Sequence, residues 1–457
     1  MTPSDIQRAL GYLVPLVADY WERPLRSYAA GAYGEFETAG LDIRQEAFGK
    51  LCSMLRSRLI RDGFKETEIQ QLVAQLRRRP VIQTGPHCHL IVEPDAFFTH
   101  LFSLIGLRAH GEGWYLNYSV STVKFTESAK KGPGWLWLDG QNVNVFGLSR
   151  SKMVPYSIYG RHALCNFILK PDEAGTDHPL LDQLRAALPE RNFSSAAEAI
   201  KSGNLYLWRQ CIGTEVNFLQ LDDTDVTELV VEHLADKNSW LSSRFINAPD
   251  MIALLLRAVQ ELDSGAWAGW FKFNTDFFWL VRDGRLRRLK LERGRLCDDS
   301  RDLQICFNSQ TLAQSLKKRE IVPSLFLVFL VIAVLPGMRA LGGSRQVIYY
   351  PLMRHVLLMA LDRSDASIDK ALAKSIRSDK TPSVWGHRTI APTCQDPWRL
   401  FAAPGLPALA PLLEEFETRT LRETSAGLPG FLTDEMWARC CPWPGNGGRP
   451  RLDNNRW

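Results

Sequence analysis

The densest cluster of reactive side chains is Arg79-Pro80-Val81-Ile82-Gln83-Thr84-Gly85-Pro86-His87-Cys88-His89-Leu90, followed by an amphipathic segment from Pro94 to Leu107. The pattern predicts a short buried strand, a tight polar turn and a helix. Polar groups then collect at the strand's carboxyl end, where open α/β sheets bind ligands. Thr84 and Gly85 suit a tight connection whose N–H donors face an anion. His87 and His89 alternate, so both rings point to one side if the backbone there stays extended. Three uses are open to them: hydrogen-bonding a phosphate, acid–base work near neutral pH, or ligating a metal. The plainer alternative is that they cap local backbone. No acid or third histidine at a recognisable spacing completes a metal shell, so no metal site is assigned. Cys88 has no adjacent orienting acid, which argues against a thiolate nucleophile. Neither the GxxxxGK[ST] spacing of a P-loop nor a GxGxxG follows.

Two further segments carry chemistry. The loop Ser121 to Gly134 holds Lys124, Glu127 and Ser128, which either reach a substrate from a neighbouring strand end or form a solvated loop. The segment Met338 to Tyr350 holds Gly342 and Gly343, which allow close backbone approach. Arg345 and Gln346 follow at the start of an expected helix, where they can hold a ligand's polar end.

These segments need elements to position them. Residues 1–79 read as a helical region, with apolar residues at helical spacing through Ile6, Leu10, Leu13 and Val17 and again through Phe48, Leu51, Leu55 and Leu59. A third helix runs from near Thr67 to Arg78, and its Arg77-Arg78-Arg79 run fits a basic helix C-terminus. From Pro80 to about 170 the pattern is the first part of an α/β core. Trp114 to Tyr118 is a second strand, and Asp139-Gly140 joins two more strand-like runs as a hairpin turn. Residues 171–310 read as a mostly helical insertion with a hairpin at Asp283-Gly284, and 311–375 as the second part of the core. Residues 376–457, rich in Pro, Trp, Arg and Gly, read as a partly extended tail. The expected fold is a Rossmann-like, mostly parallel α/β sheet.

Composition narrows the function classes. Of 457 residues, 45% are hydrophobic and 23% charged, an ordinary globular balance. A net charge of +5 leaves no footprint of a dedicated nucleic-acid binder. The nine cysteines are odd in number and form no CxxC pair, which fits a reducing cytoplasm rather than a disulfide framework. The apolar run Ser324 to Leu335 spans twelve residues, whereas a bilayer needs about twenty, so a soluble protein without a membrane anchor is expected.

Two of these segments resemble the family of the cysteine-adding enzyme of bacillithiol biosynthesis and its bacterial relatives. There, a strand ends in a Thr-Gly turn ahead of a helix, matched here by Ile82-Gln83-Thr84-Gly85-Pro86-His87. A Leu-Pro pair precedes Gly-Gly, a polar residue and an aromatic, matched by Leu335-Pro336, Gly342-Gly343, Gln346 and Tyr349. The match covers about 60 residues of the 457. It implies a nucleotidyltransferase-like core that binds ATP or ADP, with Mg2+ as companion ion, and a ligase-like condensation of an amino acid or amine with a small acceptor. Departures are plain. Pro86-His87-Cys88-His89 replaces the family's Gln, Asn117-Tyr118-Ser119-Val120 lacks its acid, Gln346 stands where it has an acid, and its long coiled coil has no counterpart. On this reading Thr84, Gly85, Gly342, Gly343 and Gln346 hold the nucleotide. His87, His89 and Arg345 are catalytic, and Lys124, Glu127 and Ser128 face the substrate. The alternatives are a silent nucleotide- or metabolite-binding relative that acts through partners, and a metal-dependent hydrolase using His87 and His89.

Overall fold

The computed structural model describes residues 2–36, 40–161, 163–172, 178–213, 215–265, 267–270, 273–401 and 409–425, with 431, 434 and 437. Its centre is a sheet of five strands: β1 (Val81–Gln83), β2 (Trp114–Tyr118), β3 (Asn217–Leu221), β4 (Arg339–Gly342) and β5 (Ser383–Trp385). Every neighbouring pair is parallel, and the spatial order is β3-β2-β1-β4-β5. That is the Rossmann order, with the direction of strand progression reversing between β1 and β4. β1, β2 and β4 are buried along their whole length, as expected of parallel strands covered on both faces.

The expected α/β class holds, but the borders of the core move. β3 lies within 171–310, the stretch read as an insertion, and β5 lies within the stretch read as a tail. Short strands flanked by long helical segments are easily absorbed into them on reading. The Asp139-Gly140 hairpin forms as expected, with both residues at positive φ. Its strands Trp135–Leu138 and Gln141–Asn144 pair with Lys170–Pro171 in a separate antiparallel sheet rather than joining the core. The Asp283-Gly284 hairpin likewise pairs with Ile321–Pro323. The helix after β1, Pro94–Arg108, is buried at every position from Ala96 to Leu107, so it is enclosed rather than amphipathic.

The N-terminal region is helical as expected, and its arginines tie it to the core. Arg44 donates to both carboxylate oxygens of buried Asp379 at 2.7 and 2.9 Å, and Arg354 joins the same acid at 3.1 Å. Arg78 and Arg79 both pair with Glu112 instead of meeting phosphates. The apolar run folds as helix Leu325–Phe329 continued by a π-helical turn, Leu330–Val334, and is buried. Among the described residues no helix is long and apolar enough to cross a membrane. The segment Pro442 to Pro450, expected to be extended, lies outside the described residues.

Candidate functional site

Parallel pairing of β1 with β4 sends the turns after both strands out side by side, Gln83 lying opposite Leu341. The Thr84 N–H and hydroxyl both donate to the Leu341 carbonyl, at 2.8 and 2.7 Å. The Gln346 amide in turn donates to the Thr84 hydroxyl at 2.6 Å. The Thr-Gly and Gly-Gly turns therefore meet at the reversal point of the sheet. Asn117 on β2 fixes the first turn by donating to the Gly85 carbonyl at 3.0 Å.

The glycines answer to a residue that the sequence reading passed over. A Cβ on Gly85 would lie 2.7 Å from Cγ of His387, and one on Gly343 would lie 2.9 Å from its Cδ2. His387 follows β5, so three strand ends converge on one imidazole. Gly342 is instead closed by the Gln346 side chain, within about 2 Å of a built Cβ. The only trace of His387 in the sequence is the short run Val384-Trp385-Gly386 before it, inside a region whose composition reads as a tail.

Hydrogen bonds assign the tautomer of His387. The Thr99 hydroxyl donates to the Asp95 carbonyl at 2.7 Å, so it accepts from His387 Nδ1–H, also at 2.7 Å. The lone pair is then on Nε2, the atom a general base needs. Burial, with Arg388 and the neighbouring histidines, holds this imidazole well below its ordinary pKa, and therefore neutral.

His87 and His89 lie beside this centre with near-parallel rings, 6.4 Å between centroids and 15° between planes. The His89 N–H donates to the His87 carbonyl at 2.7 Å, and Asn204 donates to the His89 carbonyl at 2.8 Å. Burial pushes the His89 imidazole down to about 4, and its Nδ1 has no hydrogen-bond partner among the described residues. His87 is exposed and contacts Glu127 at 2.5 Å, Nδ1 to Oε1. Burial alone would raise the Glu127 carboxyl, but the His87 hydrogen bond and the surrounding positive charge carry it below its ordinary value.

Glu127 reaches this position because its loop is pinned at the root. Asp223 accepts from the Ser121 N–H at 2.6 Å, the Thr122 N–H at 2.9 Å and the Tyr118 hydroxyl at 2.8 Å. Farther along, Gly132 at φ 123° leaves room for the Glu127 backbone, 2.8 Å from where a Cβ would stand. Lys124 and Ser128 are exposed on the same loop, bridged through backbone to Ser157 and Lys131.

The two helices that begin here differ in charge. Pro94–Arg108 opens with Glu93 as N-cap, accepting from the Ala96 N–H at 2.9 Å, and with Asp95 in its first turn. Burial and the neighbouring Asp95 push the Glu93 carboxyl up to about 7. Gln346–Arg363 has no acid in its first turn, and Arg345 precedes it. Arg345 donates to Asp434 at 2.7 Å, while 64% of its side chain stays exposed. Cys88 is fully buried, and burial raises its thiol well above the ordinary range, so it is no thiolate nucleophile. No protein-family model matches the chain, and no curated protein matches it in sequence.

Proposed function

We propose that this protein is an enzyme that binds an adenine nucleotide and joins an amino acid or amine to a small-molecule acceptor, with its ligands at the carboxyl ends of β1, β4 and β5. The observation that carries the reading is the Thr84–Gln346 hydrogen bond. It brings the two glycine turns together at the reversal point of a β3-β2-β1-β4-β5 sheet, the place where such sheets bind ligands.

Electrostatics choose the phosphate end. Asp95 in the first turn of the helix after β1, with Glu93 as its N-cap, disfavours an anion there, although Arg388 pairs with Asp95. The start of Gln346–Arg363, with backbone N–H groups at Gly343 and Ser344 and the Arg345 guanidinium, exposed although paired with Asp434, suits one. Once the nucleotide has activated the acceptor's carboxyl group as an acyl phosphate or acyl adenylate, the amine forms the C–N bond as phosphate or AMP leaves, and the amine gives up a proton in the process. Nε2 of His387, neutral and with its lone pair assigned, is the base for that step, a weak one that burial drives to pass the proton on to solvent. Arg345 stabilises the negative charge that develops on the acceptor, and neutral His89 contributes only a hydrogen bond.

Thermal shift with ATP or ADP, in chelator and again with Mg2+ added back, is the first test, and an absence of stabilisation under both conditions ends the reading. Conversion of ATP to ADP or AMP with a panel of amino acids is the second, expected to fall in Arg345→Ala and His387→Gln at unchanged stability. A silent nucleotide-binding relative is the other reading, favoured by one observation. The Thr84 hydroxyl, Gly85 and Gly343 are all engaged in internal packing. Nucleotide stabilisation without turnover would select it.

A further inference from the structure

We propose that His87, His89 and Glu127 form a binding site for a divalent transition metal of the zinc class. One ligand-capable atom from each lies within 4.8 Å of the other two. Bonds of about 2.0–2.2 Å in a tetrahedral shell set ligand atoms roughly 3.3–3.6 Å apart, so His87 and Glu127, now 2.5 Å apart, must part by about an ångström while both approach the His89 nitrogen, all three atoms lying within 4.8 Å. The two ends that need to move are free to do so, because 49% of the His87 side chain and 35% of the Glu127 side chain are exposed. His89 is the fixed member: its backbone is held on both sides, by His87 and by Asn204.

Two features point to a ligand, one within the trio and one outside its hydrogen bonds. The acid that the local sequence does not supply arrives from a loop 40 residues away, against Nδ1 of His87 at 2.5 Å. The enclosed His89 ring leaves Nδ1 without a hydrogen-bond partner among the described residues, an unsatisfied polar atom of the kind that a bound group relieves. Two imidazoles and one carboxylate suit zinc, cobalt or iron(II) rather than Mg2+, which prefers an all-oxygen shell. Three protein ligands leave a position for water or substrate. That is the pattern of a hydrolytic centre rather than of a closed structural site. The trio flanks the His387 centre, so its metal loading is measured apart from nucleotide binding.

The test is metal binding by the full-length chain, stripped with chelator and titrated with Co2+ and Zn2+ without nucleotide. One Co2+ per chain is expected, with the visible absorption of a low-coordinate site and stoichiometric metal by mass spectrometry. His87→Ala and Glu127→Gln, both at exposed positions and each checked for an unchanged melting curve, should weaken binding by about 100-fold or more. Lys237→Ala, at an exposed position in another segment, should leave it unchanged. Absence of stoichiometric binding overturns the proposal. So does wild-type affinity in both variants, or a signal that survives them and disappears in Cys306→Ser, which removes an exposed thiol. Nucleotide stabilisation in chelator is read separately, so failure of one idea is not failure of the other.

Discussion

His387 shows how one side chain sets the demands of three turns. Its ring leaves no room for a Cβ at Gly85 or Gly343, and Thr99 sets which nitrogen is protonated. Gly85→Ala forces the ring or the turn aside and is expected to cost about 1–3 kcal/mol, read as a lower urea midpoint. Thr99→Val removes the acceptor for Nδ1–H and lets the proton sit on either nitrogen. If His387 is the base, turnover should fall by about 10- to 100-fold with little change in KM. An unaltered rate in Thr99→Val would show that the tautomer is irrelevant. At this scale the sequence displayed His87 and His89, because adjacency makes a cluster visible. It hid His387, because an isolated histidine carries no pattern of its own.

At the scale of elements, the carboxyl end of β3 holds the loop that delivers Glu127. Buried Lys201 donates to Asp222 and Asp225, each at 2.7 Å. Burial raises Asp222 to about 6, while Lys201 and Arg58 hold Asp225 below the carboxylate range against the effect of burial. Between them Asp223 anchors Ser121 and Thr122. Lys201→Met leaves Asp222 buried without its cation and Asp225 with Arg58 alone, and is expected to cost about 3–5 kcal/mol, measured by denaturant unfolding. Asp223→Ala should loosen the root of the loop. Amide exchange in 121–127 should then quicken while that of β1 stays slow; equal protection in the variant would count against this anchoring role. These contacts were not legible beforehand, since Asp222-Asp223-Thr224-Asp225 reads as an ordinary acidic helix start. The capping box is indeed present, but burial against Lys201 is a tertiary fact.

At the scale of the whole molecule, buried neutral histidines predict the acid limb of stability. Burial pushes His89 to about 4, His100 and His233 each to about 3, and His387 well below the ordinary value. Each is a base whose folded pKa lies below its unfolded value near 6.5. Their contribution is therefore complete above that value and is lost as pH falls towards the folded values. Near pH 5 in chelator, unfolding should take up about four protons through these groups. His100→Gln should reduce the pH slope of the urea midpoint by about one proton. A wild-type curve flat from pH 7 to 4.5 would contradict the burial of these rings.

The sequence by itself determined the class of fold and displayed one half of the candidate site. The runs Val81 to Gln83 and Trp114 to Tyr118 are short and flanked by helical periodicity, and local patterning is enough to make them strands of an α/β protein. Thr84-Gly85 and Gly342-Gly343 also stand out, because turn chemistry is local. Only the tertiary structure decided that β3 and β5 belong to the core, that three turns close on His387, and that Glu127 comes to His87. Those outcomes depend on strand order and on buried pairs such as Lys201 with Asp222, contacts between residues far apart in the chain that no local pattern encodes. The turn 84–89 thus owes its residue types to local chemistry, and its neighbours to the order in which the sheet was assembled.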